Sequence, residues 1–359
     1  LPGTSFEAQL DAVTAAVSEP DPAGEDAAWA RLDSLTKPPR SLGRLEEVAA
    51  RIACVQGTVR PDVEDRAIIL MAADHGVVAE GVSPYPQEVT RQMVANFSAG
   101  GAAINQLAGS VEAELWLVDV GVAGDVSHLN NVRDEKIAAG TANMAVGPAM
   151  SREQAAQAAM VGVRMSREAA EGGMRLLGTG EMGIGNTTAA AALTCAYTGA
   201  DPERVVGPGT GLDAAGVAHK VAVVKAALHA NKADTLDALG KLAAVGGLEI
   251  AGLAGVVIGA AEQGVCVVAD GFISGVAALA ALRLCPDCSA YVFPSHLSAE
   301  PGHRFVLDAL ELEPIIALDM RLGEGTGAAL AMSIMDAACR MLAGMATFEE
   351  AGVSEEGGG

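Results

Sequence analysis

Met174-Arg-Leu-Leu-Gly-Thr-Gly-Glu-Met-Gly-Ile-Gly-Asn-Thr-Thr188 decides how the rest of the chain is read. A short apolar run, Met174 to Leu177, enters a glycine-rich loop, and a small helix begins near Asn186-Thr187-Thr188. Strand, glycine loop and helix in that order open a βα unit. The same grammar recurs. Ala67 to Ala73 ends in Asp74-His75-Gly76, Leu115 to Val118 in Asp119-Val120-Gly121, and Val265 to Ala269 in Asp270-Gly271. Ala290 to Phe293 runs into Pro294-Ser-His-Leu-Ser298, and Ile315 to Leu318 into Asp319-Met-Arg-Leu-Gly-Glu-Gly325. Six candidate strands therefore carry polar clusters at their carboxyl ends. Helical stretches separate them, the clearest being Ser151 to Glu171, where Ser151 and Gln154 have capping-box spacing and Gly172-Gly173 is a stop. The expected class is α/β, an open, mostly parallel sheet with its ligand site beyond the strand carboxyl ends.

The chain of 359 residues is long enough for one large domain and a smaller appendage. Half of it is hydrophobic, yet aromatics make up only 3%, so small aliphatic side chains must fill the core and let helices lie close on a sheet. The first 60 residues are polar and helix-prone, broken by Pro38-Pro39 before Ser41-Leu-Gly-Arg-Leu-Glu-Glu restarts a helix. A formal net charge of −22 repels a phosphate backbone and argues against nucleic acid as a partner. A local anion site is still allowed, because helix N-termini and glycine loops bind phosphate without a basic protein around them.

No membrane span is expected: the uncharged run Met182 to Ala200 is interrupted by glycine, asparagine and threonine, and Ile250 to Ala261 is too short. Leu1-Pro-Gly-Thr carries no basic segment ahead of an apolar stretch, so no signal peptide is expected. The six cysteines are scattered, several in apolar runs, as reduced core thiols are, and this points to the cytoplasm. Cys285 and Cys288 with His296 and His303 lack the usual zinc arrangement, and a turn between helix and strand is favoured there. Glu355 to Gly359 reads as part of a disordered tail, 351–359.

The glycine loop contains Gly178-x-Gly180-x-x-Gly183, a weak dinucleotide signal by itself. Glu181 inside it would repel a pyrophosphate, and no strand ending in an acid follows about 20 residues on, so a single phosphate or a ribose fits better. Gly207-Pro-Gly-Thr210-Gly211 offers exposed amides, with Lys220 and Lys225 on the following helix pattern to neutralise a phosphate. Glu324 sits between Gly323 and Gly325 after a candidate strand. A poorly solvated carboxylate there would have its pKa raised toward values useful for taking a proton near neutrality. Asp74-His75 reads as an acid/base pair, a metal ligand pair or, more commonly, a backbone-held histidine. No Gly-x-Ser-x-Gly elbow occurs, which speaks against a serine hydrolase.

Taken together, Lys37-Pro-Pro-Arg-Ser-Leu-Gly-Arg-Leu45, Ala73-Asp-His-Gly76, Gly180-Glu-Met-Gly-Ile-Gly-Asn-Thr-Thr188, Asp270-Gly-Phe272, Pro294-Ser-His296, Ser298-Ala-Glu300 and Arg321-Leu-Gly-Glu-Gly325 resemble the nicotinate-nucleotide:dimethylbenzimidazole phosphoribosyltransferases. The likeness runs in order from about residue 30 to 345. It implies a Rossmann-like sheet flanked by helices, a small helical domain from residues 1–60 with 326–350, a large domain over 61–325, and a homodimer with active sites near the subunit interface. It implies Glu324 as general base and Glu181 as the other acid. The phosphate would lie among loop amides (Gly183, Asn186, Thr187, Gly209, Thr210) and Lys220, with Gly271 and Ser298 nearby; Met182 and Leu322 would sandwich the benzimidazole.

Two departures stand out. Arg40 replaces a glycine of the common family form, and Tyr85 and Met93 stand where some relatives place Ser and Gln against the base, with Gln92 one position away. The implied partners are small molecules, nicotinate mononucleotide and a benzimidazole, with no cofactor and no metal. The alternatives are a nucleotide-dependent oxidoreductase, suggested by the glycine pattern, and a non-catalytic nucleotide sensor.

Overall fold

The structure is a computed structural model that describes residues 4–354. Six parallel strands form one sheet: β1 (Arg66–Ala73), β2 (Glu114–Gly121), β3 (Val132–Asp134), β4 (Leu176–Met182), β5 (Cys266–Ala269) and β6 (Val292–Pro294). Their order is β3-β2-β1-β4-β5-β6. The chain starts at the centre, winds outward to β3, returns to β4 and winds out the other way. The reversal between β1 and β4 opens a crevice at the strand carboxyl ends, as in doubly wound folds generally.

Helices surround the sheet: α1 (Phe6–Thr14), α2 (Pro22–Ser34), α3 (Arg44–Gln56), α4 (Val89–Ser98), α5 (Ala103–Ser110), α6 (Arg152–Glu171), α7 (Asn186–Thr198) and α8 (Pro202–Val205). Then come α9 (Ala214–Ala230), α10 (Ala238–Val245), α11 (Leu248–Glu262), α12 (Phe272–Leu284), α13 (Gly302–Leu310), α14 (Thr326–Gly344) and α15 (Phe348–Ala351). Every residue of β1 is buried. Ile69 and Met71 enter the core formed with α6, α11 and α12, whereas Ile68 and Leu70 enter the one formed with α2, α3 and α14. That alternation is the two-residue period of a strand covered on both faces. Among these helices α6 and α11 lie backbone to backbone, since a Cβ on Gly162 or Gly255 would land inside the facing chain. Helix α1 packs on α6 and α11, while α2 and α3 pack with α14 on the other face.

The capping box of α6 forms as its spacing requires: Ser151 Oγ accepts from the Gln154 N–H at 3.1 Å and Gln154 Oε1 from the Ser151 N–H at 2.9 Å. Three expectations change. Ile315 to Leu318 is not a strand. Ile316 makes a lone parallel bridge to His296, hemmed in by Pro314 and by Asp319 at φ +54°, and Leu318 is largely exposed. The sixth strand is instead β3, a three-residue edge piece without an apolar run. And β4 continues through Gly178 and Gly180 to Met182, so those glycines are strand, not loop.

Cys285 and Cys288 lie at a 3-10 turn, Pro286–Tyr291, between α12 and β6. Ala351, at the expected start of the tail, closes α15; Glu355 to Gly359 and Leu1 to Gly3 lie outside the described residues. No described helix is long and apolar enough to cross a membrane.

Candidate active site

The tips of β4, β5 and β6, the turn before α14 and the glycine turn before α9 enclose a cavity of about 630 Å³. Every expected site residue except Gln92 and Lys225 lines it; Lys225 lies on the exposed side of α9, paired with Glu203 at 2.7 Å, and plays no part at the cavity. Gln92 lies on the exposed face of α4, because one residue turns a helix by about 100° and points Met93 inward in its place. Asp270, His296, Glu300 and Arg321 also line it, although sequence reasoning had not placed them in the site. Their signal was present, since each stands in a polar cluster at or beyond a strand end.

Three carboxyls meet at the strand tips. Glu181, near the end of β4, is buried, and the Asn186 side chain at the start of α7 donates to its Oε2. Burial, with Asp270, Glu249 and Glu324 adding negative charge, pushes its pKa up to about 8 against the Asn186 hydrogen bond. Glu324 is buried too, with Oε2 lacking a partner. Burial and then Asp270 raise its pKa, opposed by the Ile104 backbone N–H at the start of α5.

The turn carrying Glu324 is unusual: Gly323, Glu324 and Gly325 have φ of +86°, +65° and +91°. A non-glycine residue held left-handed costs about 1–2 kcal/mol, and such outliers collect at functional sites. Asp270 holds the turn in place. Its carboxylate accepts from the N–H groups of Gly325 (3.1 Å), Gly327 (2.7 Å) and Ala328 (3.0 Å), capping α14. His296 Nε2 is 3.9 Å from the same carboxylate. Burial raises the Asp270 pKa, and His296 and these amides work against that.

The glycines of the fingerprint serve this packing. A Cβ on Gly178 would press on Met332 and Ile68, and one on Gly180 on the Glu324 backbone. They make room for α14 and its leading turn, so the dinucleotide-loop reading does not hold.

At the opposite end Lys220, on α9, is 1% exposed. Its ammonium donates to Thr187 Oγ1 at 2.8 Å and to the Gly207 carbonyl at 3.4 Å. Burial pulls its pKa down to about 8, with Glu300 resisting. Arg321 Nη1 donates to the Gly209 carbonyl at 2.8 Å, so the Gly207–Gly211 turn is held between two cations. Gly209, at φ +55°, lies against both Lys220 and Thr187, and Gly271 and Ser298 complete this end. The remaining wall, Val82, Val89, Met93 and Met182 with the exposed Tyr85 and Leu322 at the rim, is mostly apolar, with the hydroxyl of Ser83 as an exception.

The Asp74-His75 pair lies behind the site and does not line the cavity. Asp74 accepts from the Ala123 N–H at 2.8 Å, and His75 Nε2 is 2.6 Å from buried Glu249. A Cβ on Gly183 would touch the His75 ring, so the pair backs the loop after β4. Among the described residues no His, Cys, Asp and Glu cluster is arranged to hold a metal ion.

A doubly wound sheet with an acid-lined pocket at one end and a lysine-anchored glycine turn at the other is the equipment of a phosphoribosyltransferase. The family model described as "Phosphoribosyltransferase" matches residues 17–353. A nicotinate-nucleotide–dimethylbenzimidazole phosphoribosyltransferase from Chloroflexus aurantiacus is 52% identical over 350 residues, covering 97% of this chain and 100% of that protein. One from Nitratidesulfovibrio vulgaris is 51% identical over 351 residues, covering 97% and 98%. The crystal structure of CobT from Thermus thermophilus superposes with a TM-score of 0.90 at 50% identity, covering 93% of this chain and 100% of that one. The chain belongs to the nicotinate-nucleotide–dimethylbenzimidazole phosphoribosyltransferase family, and it is an enzyme.

Proposed function

We propose that this enzyme moves the 5-phosphoribosyl group of nicotinate mononucleotide onto 5,6-dimethylbenzimidazole with inversion, giving α-ribazole 5'-phosphate and nicotinate in cobamide lower-ligand synthesis. The observation that carries the residue assignments is the placement of Glu324. Its buried carboxyl, with one oxygen unpartnered, shares a single cavity with Glu181 and with the Lys220 end.

In this reading the phosphate binds Lys220, the hydroxyls of Thr187 and Ser298, and the amides around Gly183, Asn186, Gly209, Thr210 and Gly271. The base lies between Met182 and Leu322, against Met93 and Tyr85, with Glu324 at its ring nitrogen. The leaving group is a pyridinium, so its departure discharges a positive charge and positive charge builds on the ribose. Glu181 faces that charge. Free, it holds a proton near neutrality; a cationic nucleotide favours its carboxylate, which then stabilises an oxocarbenium-like transition state. The benzimidazole attacks from the opposite face through its lone-pair nitrogen. The N–H on its other nitrogen becomes acidic, and Glu324 accepts that proton. Holding both rings in line contributes much of the remaining acceleration. No step calls for a metal.

The same reading includes a homodimer, a cytoplasmic setting, and a helical unit drawn from residues 1–60 and 326–350, in which α2 and α3 pack with α14 while α1 lies apart on α6 and α11. Incubating the purified protein with nicotinate mononucleotide and dimethylbenzimidazole under exhaustive chelation, and following products by mass, tests the reaction. Nicotinate and α-ribazole 5'-phosphate are expected; strict dependence on magnesium or zinc rules the mechanism out.

A further inference from the structure

The polar end of the cavity contains an acid that the reaction as described leaves idle. Glu300 is 5% exposed and lines the cavity with Lys220, and neither carboxyl oxygen has a hydrogen-bond partner. The Gly209 N–H points toward it without closing a bond of normal geometry. Its backbone is fixed: the Glu300 N–H donates to Ser298 Oγ at 3.3 Å, and its carbonyl accepts from the His303 N–H at 3.0 Å. The Gly207–Gly211 turn covers it, since a Cβ on Gly207 would collide with Oε2. A buried polar group left unpaired is destabilising, so such an arrangement persists where an occupant completes it.

The charged groups facing Glu300 are Lys220 from α9 and Arg321 from the segment before α14. From α13 comes His303, whose ring burial holds down to about 3, so it brings no positive charge; its Nδ1 accepts the Ser298 N–H at 2.9 Å. Burial pushes Glu300 above the usual carboxylate range, with Lys220 working against it. A phosphate beside Lys220 adds negative charge and drives Glu300 further toward its neutral form.

We propose that Glu300 takes up a proton from solvent when the ribotide phosphate binds and donates it as a hydrogen bond to a phosphate oxygen, selecting phosphorylated over unphosphorylated substrate. An O–H donor to an anionic oxygen is among the stronger hydrogen bonds available. This rests on the reading of Lys220 as the phosphate ligand.

The test measures dissociation constants for nicotinate mononucleotide and nicotinate riboside over about pH 6.5 to 9, using the full chain and its Glu300→Gln, Glu300→Ala and Lys220→Ala variants. Glu181 ionises in the same range and strengthens the two cationic ligands alike, so the readout is the ratio of nucleotide to riboside affinity, which in the wild type is expected to fall with rising pH as both Glu300 and Lys220 lose protons. Glu300→Gln donates at every pH, so it stays within about threefold of wild type at the acid end and falls less steeply, whereas Glu300→Ala loses about tenfold. Riboside binding is indifferent to either Glu300 change. A Gln variant with the wild-type slope, or one as weak as the Ala variant, overturns the role of Glu300. Lys220→Ala weakening nucleotide and riboside alike overturns the phosphate reading itself, a separately visible result.

Discussion

The backbone carbonyl of Glu324 occupies the space where a side chain on Gly180 would begin: a Cβ built there lies 2.5 Å from that oxygen. The strand bearing one carboxyl of the site therefore touches the turn bearing the other with no atom between them. Gly180→Ala is expected to leave a folded protein, since β4 is paired on both sides, but to displace Glu324. A misplacement of about 1 Å costs on the order of 10²-fold in rate. Steady-state kinetics beside a far-ultraviolet spectrum check this, and wild-type turnover in the alanine variant would show that the contact does not matter.

Glu324→Gln keeps the shape of the turn and removes the base. Turnover should drop by about 10²-fold to 10⁴-fold with nucleotide binding largely intact. Because burial raises the Glu324 pKa, the acid limb of the wild-type pH–rate profile should lie above the ordinary carboxylate range, rising as the base loses its proton. That limb should vanish in the Gln variant. Near-wild-type turnover at saturating substrates contradicts the role.

Much of this site is legible before any coordinates. Glu324 stands out because two glycines flank it after an apolar run, and the strand-end clusters all converge on one edge of the sheet. What misleads is that glycine serves two purposes. In Gly185, at φ +93°, it provides a backbone conformation; in Gly178 and Gly180 it provides space, for partners far away in the chain, and no local pattern tells the two apart. Ile315 to Leu318 reads as a strand because apolar content is visible while the lack of a neighbouring strand is not. Glu300 stands in a visible strand-end cluster, but for a similar reason its burial is not legible. Its burial comes from the Gly207–Gly211 turn closing over it, a tertiary event between distant segments.

Glu181 sets function against stability. Its folded pKa of about 8 lies above the ordinary 4.5, so between those values the folded state binds more protons than the unfolded one. Stability must then fall as pH rises through that window. Glu181→Gln escapes the cost while still accepting the Asn186 hydrogen bond. At about pH 9 it should stabilise the empty enzyme by on the order of 1–4 kcal/mol, raising Tm by at least about 2 °C, with the gain shrinking toward about pH 5. Catalysis should suffer in the same variant. Thermal melts across pH decide it: a gain independent of pH, or a loss at the alkaline end, would refute the assignment of a buried, reluctant charge.

The apolar wall of the cavity should determine which base is used. Apart from the hydroxyls of Ser83 and Tyr85, the side chains there, Val82, Val89, Met93 and Met182, offer no hydrogen-bond donor, so a base gains against them by burying methyl groups and loses by burying a hydroxyl or amine without a partner. Two buried methyls at about 0.8 kcal/mol each amount to roughly tenfold in kcat/KM for dimethylbenzimidazole over benzimidazole. A hydroxylated benzimidazole should fall below both, since its polar group would be stripped of water at a cost of about 1–3 kcal/mol. Met93→Gln places an amide in the wall and should narrow or invert that last preference while leaving nucleotide affinity alone, because Lys220 lies at the other end. Competition between the three bases for limiting nicotinate mononucleotide, read by product mass, measures all of this at once. Equal use of the hydroxylated and dimethylated bases by the wild type would mean that the ring edge faces solvent at the Tyr85 and Leu322 rim instead of this wall.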